Sequence, residues 1–125
     1  MKDKMNNYTA ELIKKQASPE IISSGEALID SLYNYSKNGR SYEITFLEFG
    51  AKGCSACKRM EKVLEEIRLE YPNRVNVVFN NVLKADQQNL MKMYGIATIP
   101  TQILLDKNGK EIFRHKRNTV KKINV

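Results

Sequence analysis

The sequence predicts an α/β domain: a mixed sheet of four or five strands with helices on both faces. Short apolar runs rich in β-branched and aromatic residues alternate with longer stretches whose apolar side chains recur every three or four residues, so strands alternate with helices. Helical crossovers of this length force parallel pairing among the early strands. The last two apolar runs flank Asp106-Lys107-Asn108-Gly109-Lys110, a turn-rich connection that reads as an antiparallel hairpin.

Residues 1–19 are polar, without clear periodicity, and read as an extension or short docked helix ending at Ser18-Pro19. Ile21-Ile22 is a candidate edge strand, after which Ser23-x-x-Glu26 has the form of a capping box. Ala27, Leu28, Leu32 and Tyr35 then give a helical stripe closed by Asn38-Gly39. Residues 43–49 form the second strand, interrupted by one carboxyl group, Glu48. Residues 54–70 form the second helix, with Cys57, Met60, Val63, Leu64 and Ile67 on one face and Tyr71-Pro72 as its stop. Val75 to Phe79 is a third strand, and Ala85 to Tyr94 a third helix closed by Gly95. Thr101–Leu105 and Glu111–Arg114 are the hairpin strands, and residues 118–125 a basic tail. The expected order is β-α-β-α-β-α-β-β.

The 125 residues, 42% hydrophobic and 28% charged, fit one soluble domain able to bury a core without staples. No window is apolar for the length of a membrane span, and Met1 to Asn7 lack the core of a signal peptide. The chain is then cytoplasmic, or periplasmic or otherwise extracytoplasmic with a leader or anchor removed. The net charge of +7 is concentrated partly in Arg114, His115, Lys116, Arg117, Lys121 and Lys122. No aromatic residues interleave with them and no nucleic-acid module is visible, so the expectation is a solvated basic surface that attracts acidic partners at long range. A monomer is expected.

Cys54 and Cys57, the only cysteines, stand as Cys54-Ser55-Ala56-Cys57 where the second strand gives way to the second helix. A helix start offers unpaired N–H groups and the positive end of the dipole, which favour a thiolate on the first cysteine. A lowered thiol pKa makes a cysteine nucleophilic at neutral pH, and C-x-x-C beside strand–helix units reads as a redox pair. A structural zinc site is short of ligands, with one histidine and no third cysteine. A structural disulfide closing so short a loop stabilises little. Inert buried thiols suit Cys57, on the apolar face, better than Cys54, which Lys52, Gly53 and Ser55 flank in a polar turn.

The element order, the C-x-x-C opening the second helix, and Tyr94-Gly95-Ile96-Ala97-Thr98-Ile99-Pro100-Thr101 together resemble the thioredoxin family over residues 20–117. The segment Cys54 to Lys58 is also similar to the cysteine motif in the C-terminal domain of DsbD-type electron-transfer proteins. The family resemblance implies a thioredoxin fold and thiol–disulfide oxidoreductase activity on protein disulfides, served by a redox partner protein. It implies no cofactor and no metal. Cys54 becomes the attacking thiolate and Cys57 the resolving thiol. Pro100 becomes a cis-proline whose loop, with Thr98 and Ile99, faces the cysteines and offers the Ile99 backbone to an extended substrate; a trans proline opening a strand is the plain alternative. Glu48 occupies the place of the family's buried aspartate. Burial raises a carboxyl pKa, which suits a group exchanging a proton with Cys57; a solvated surface Glu is the plain alternative.

Several positions depart from the family. Gly50 and Gly53 stand where tryptophans are usual, Ser55-Ala56 replaces Gly-Pro, no lysine partner for the buried carboxyl is evident near Asn80-Asn81, and Arg117 falls near a groove glycine. Substrate recognition should therefore differ while the exchange chemistry stands. With no histidine inside the motif to stabilise the thiolate, a reductase or electron relay is expected over an oxidase or isomerase. A binding or adaptor domain with an inert disulfide is the alternative.

Overall fold

The first described helix, α1, runs from Pro19 to Tyr33 in the computed structural model, which describes residues 17–116. Ser18, in extended conformation, caps α1 by accepting a hydrogen bond from the Ile21 N–H at 3.2 Å. Pro19 fills the first helical position, where its missing N–H costs nothing. This corrects two expectations. Ile21-Ile22 is no edge strand but lies in the first turns of α1, and Ser23 and Glu26 sit within the helix instead of capping it. Ser-Pro is the earlier and stronger start signal, and two β-branched residues are too short a run to outweigh it. Among the described residues the order thus begins α-α-β, and the sheet has four strands, within the expected four or five.

Asn34 breaks the helix (φ −90°, ψ 89°), and the Tyr35 N–H turns to the Lys107 carbonyl at 2.9 Å. The short α2, Tyr35–Asn38, closes on Gly39 at φ 78°, a left-handed conformation that favours glycine. There follow β1 (Ile44–Gly50), α3 (Ser55–Glu70), β2 (Val75–Asn81), a 3₁₀ turn (Ala85–Gln87) leading into α4 (Gln88–Tyr94), β3 (Thr101–Leu105) and β4 (Glu111–Lys116). The strands lie in the order β2-β1-β3-β4. β1 is parallel to β2 and antiparallel to β3, and β3 is antiparallel to β4. The mixed sheet and closing hairpin agree with the pattern of crossovers and turns.

Alternation along β1 divides the two faces. Leu47 and Phe49, both fully buried, join Ile103 and Leu105 of β3 and Ile29, Tyr33, Leu90 and Tyr94 of α1 and α4 in the main core. The Phe49 and Tyr94 rings meet edge to face at 6.1 Å. On the opposite face Gly50 looks towards Cys57 of α3 and Phe79 of β2, and Met60 and Leu64 are the buried positions farther along α3. Glu48 shares this second face with Gly50.

α1 and α4 pack against each other across Gly25 and Met93. A Cβ at position 25 would lie 2.7 Å from Met93 Sδ and 3.3 Å from Met93 Cβ. Gly25→Ile is therefore expected to lower stability by about 1–3 kcal/mol through overpacking, read as a lower urea midpoint at unchanged slope. An unchanged midpoint would show that the α1–α4 contact does not depend on this clearance. None of the described helices is long and apolar enough to cross a membrane. Arg117, the basic tail and most of the N-terminal extension lie outside the described residues.

Candidate active site

The C-terminal end of β1 delivers the chain through Ala51-Lys52-Gly53 into α3, whose first turn contains both cysteines. Cys54 is the N-cap (φ −94°, ψ 116°), and its Sγ accepts a hydrogen bond from the Cys57 N–H at 3.2 Å. A sulfur here does the work that a serine or aspartate oxygen does at other helix starts. Donation from a backbone N–H, together with the dipole of a 16-residue helix, favours negative charge on that sulfur. Cys54 is partly exposed and Cys57 buried.

Cys57 is held in the opposite condition. Burial, then its hydrogen bond with Cys54, pushes its pKa up to about 11. The backbone of Ala51 partly offsets this, while negative charge on Cys54 and Glu48 adds to it. The space beside the thiol is tight: a Cβ on Gly50 would stand 3.0 Å from Cys57 Sγ, whereas at Gly53 it would meet nothing within 4 Å. The two glycines that replace bulky residues thus differ in kind. Gly50 gives Cys57 its clearance, and Gly53 opens the surface beside Cys54.

Glu48 is 2% exposed, so the buried placement holds and the solvated one does not. Burial raises its carboxyl pKa to about 7, against a smaller lowering by the side chain of Gln102. Gln102 Nε2 donates to Glu48 Oε1 at 2.7 Å. Glu48 Oε2 is buried and has no hydrogen-bond partner among the described residues. Gln102 is the partner that the lysine-free stretch near Asn80-Asn81 left unassigned, and the sequence reading missed it. The available signal was a polar residue inside the apolar run Thr101-Gln102-Ile103-Leu104-Leu105, on the strand that pairs with the strand of Glu48.

The Ile99–Pro100 bond is cis, and Pro100 is fully buried. Thr101 Oγ1 donates to the Thr98 carbonyl at 2.6 Å, tying the loop to the start of β3. Since Phe49 pairs with Thr101, Thr98, Ile99 and Pro100 lie at the same end of the sheet as Gly50 and the chain leading to Cys54. The five positions expected to form the site besides Cys54 therefore converge on one sheet end. A cleft of about 580 Å³ lies elsewhere, lined by Ile29, Asn34, Met93, Tyr94 and Lys110 among others, and holds none of these residues. Among the described residues no His, Cys, Asp and Glu groups of three or more gather to hold a metal ion.

A four-stranded mixed sheet with a dithiol at the N-terminus of the helix after β1, and a cis-proline before β3, defines a thioredoxin-type oxidoreductase site. The thioredoxin family model matches residues 29–124. Thioredoxin from Buchnera aphidicola subsp. Acyrthosiphon pisum is 33% identical over 70% of this chain and 76% of its own length. Thioredoxin from Haemophilus influenzae is 38% identical over 53% of this chain and 59% of its own. In fold, the chain is similar to Trichomonas vaginalis thioredoxin (TM-score 0.58, 22% identity, covering 80% and 85% of the two chains). It is similar as well to oxidised thioredoxin O2 of Arabidopsis thaliana (TM-score 0.59, 19% identity, covering 79% and 83%). The chain belongs to the thioredoxin family and is a thiol–disulfide oxidoreductase.

Proposed function

We propose that the protein is a disulfide reductase or electron relay in which Cys54 attacks, Cys57 resolves and Glu48 takes the Cys57 proton. The Cys54 thiolate attacks one sulfur of a substrate disulfide, forming a Cys54–substrate disulfide and releasing the other substrate sulfur as a thiolate. Cys57, giving its proton to Glu48, then attacks the Cys54 sulfur. The substrate leaves with its second sulfur reduced, and the chain is left with a Cys54–Cys57 disulfide. Two electrons pass to the substrate, and a redox partner protein must return them. Thr98 and Ile99, beside the buried Pro100, supply the surface on which the substrate strand rests.

The observation that carries this reading is the asymmetry of the two thiols. Cys54 is partly exposed and caps a helix start, while Cys57 is buried with its pKa pushed up to about 11 beside a buried carboxyl. An attacking thiol needs exposure and negative charge at neutral pH; a resolving thiol must wait until the mixed disulfide forms. The positive surface, with net charge +7, suits partners carrying acidic groups around their disulfides.

Equilibration with glutathione and dithiothreitol buffers, combined with insulin reduction driven by dithiothreitol, tests the direction. The expected result is turnover clearly above the dithiothreitol background and a potential more negative than roughly −260 mV, below the biochemical glutathione poise. A potential near about −120 mV, that of a strong oxidant, would overturn the reductase direction. Turnover no faster than dithiothreitol alone would mark an inert disulfide on a binding domain.

A further inference from the structure

We infer that Gln102 is a positioning residue for the exchange reaction: it holds one oxygen of the Glu48 carboxylate and leaves the other to accept the Cys57 proton. This rests on the reading of Glu48 as the proton acceptor and deepens it. Glu48 and Gln102 are direct cross-strand partners in the antiparallel pairing of β1 with β3, so their side chains leave the same face of the sheet. Gln102 is 1% exposed, and its Nε2 donates to Glu48 Oε1 at 2.7 Å. The orientation follows from the chemistry, since turning the amide round would set two oxygen lone pairs against each other. With Oε1 held, Oε2 is the carboxylate oxygen without a partner among the described residues. Glu48 acts electrostatically on Cys57, and Gly50, two residues on along β1 and on the same face as Glu48, lies against the Cys57 side chain.

A neutral donor suits this task in a way that a cation does not. A lysine or arginine beside Glu48 would hold it ionised through the neutral range and weaken it as a base. An amide favours the charged form only modestly, which leaves the carboxyl able to take up and lose a proton near pH 7, the value at which burial and the Gln102 hydrogen bond together set it. Few other titratable groups share this face. α3 contributes Cys54 and Cys57, while its Lys58, Arg59, Glu61 and Lys62 are exposed to solvent. The residue of β2 opposite Glu48 is Phe79. β4 contributes His115, which pairs with Gln102 in the next register step. The Gln102 carbonyl oxygen and His115 Nε2 are both buried without partners among the described residues, so the polar row Glu48–Gln102–His115 crosses three strands.

The test follows the pH dependence of mixed-disulfide resolution in the wild type, Gln102→Leu, Glu48→Gln, the double variant and His115→Gln. The wild type should show an inflection near pH 7. Gln102→Leu should move it upward by about one pH unit, slowing resolution at pH 7 up to roughly tenfold. Glu48→Gln should abolish the inflection, and the double variant should behave as Glu48→Gln alone, since Gln102 acts only through Glu48. His115→Gln should keep the inflection; because histidines titrate in the same window, its disappearance there would reassign the inflection and overturn the inference. If Glu48→Gln removes the inflection but Gln102→Leu leaves it in place, Gln102 does not position the carboxylate. If Glu48→Gln itself keeps the inflection, the reading of Glu48 fails, a separate result. Should Gln102→Leu not fold, NMR of the wild type decides. The Gln102 side-chain amide should titrate with the midpoint of the Glu48 carboxyl carbon, and amide resonances that stay fixed through that range overturn the inference.

Discussion

Cys54→Ser is expected to reduce disulfide turnover to the rate of the reductant alone, whereas Cys57→Ser is expected to stop after one event. With Cys54 gone, the remaining thiol is still buried, and burial is the largest cause of its raised pKa. A serine at the helix start cannot replace the lost nucleophile. With Cys57 gone, Cys54 still attacks, but nothing displaces the substrate, and the chain accumulates as a mixed disulfide. Electrophoresis without reducing agent, or intact-protein mass spectrometry, reads the two outcomes directly. Multiple turnover by Cys54→Ser would remove it from the attacking role. A Cys57→Ser variant that cycled normally would remove the need for an internal resolving thiol.

Glu48→Gln is expected to slow resolution at neutral pH by about a hundred- to a thousand-fold, within the range that general acid–base catalysis contributes. The same substitution should raise stability at pH 8. Burial raises the Glu48 pKa to about 7 in the folded chain, above the ordinary carboxyl value of 4.5. Between those values the folded state holds a proton that the unfolded state has released. Stability is thus fully present below the unfolded pKa and falls as pH rises towards the folded one. The loss is on the order of 3 kcal/mol, and glutamine, which has no proton to lose, should remove it. Denaturant midpoints compared at pH 5 and pH 8 check this. A wild type equally stable at both, or a Glu48→Gln variant that turns over at the wild-type rate from pH 6 to 9, would place the carboxyl outside the mechanism.

The site was legible mainly where local rules and family pattern agreed. Strand-to-helix periodicity put Cys54 at a helix start, and Glu48 announced its burial by interrupting an apolar strand. Pro100 could be assigned a cis bond only through resemblance, because residue type alone favours trans. Gln102 was not legible, because its partner lies 54 residues away along the chain, and only the register of two antiparallel strands brings them together. The start of α1 was misread because the Ile21-Ile22 pair suggested a strand, while the stronger signal, Ser18 followed by Pro19, was assigned to an extension. Tertiary context won there as well: the helix buries Ile29 and Tyr33 in the main core, which a short edge strand could not do.

The difference between the two thiols can be measured without any substitution. Reduced protein at pH 7 is treated briefly with limiting iodoacetamide, and the alkylated peptides are quantified by mass spectrometry. Cys57 is buried with its pKa pushed up to about 11, whereas Cys54 is partly exposed and its sulfur accepts a backbone hydrogen bond at the helix start. The mechanism predicts that nearly all of the label is on Cys54. Equal rates, or faster modification of Cys57, would contradict it.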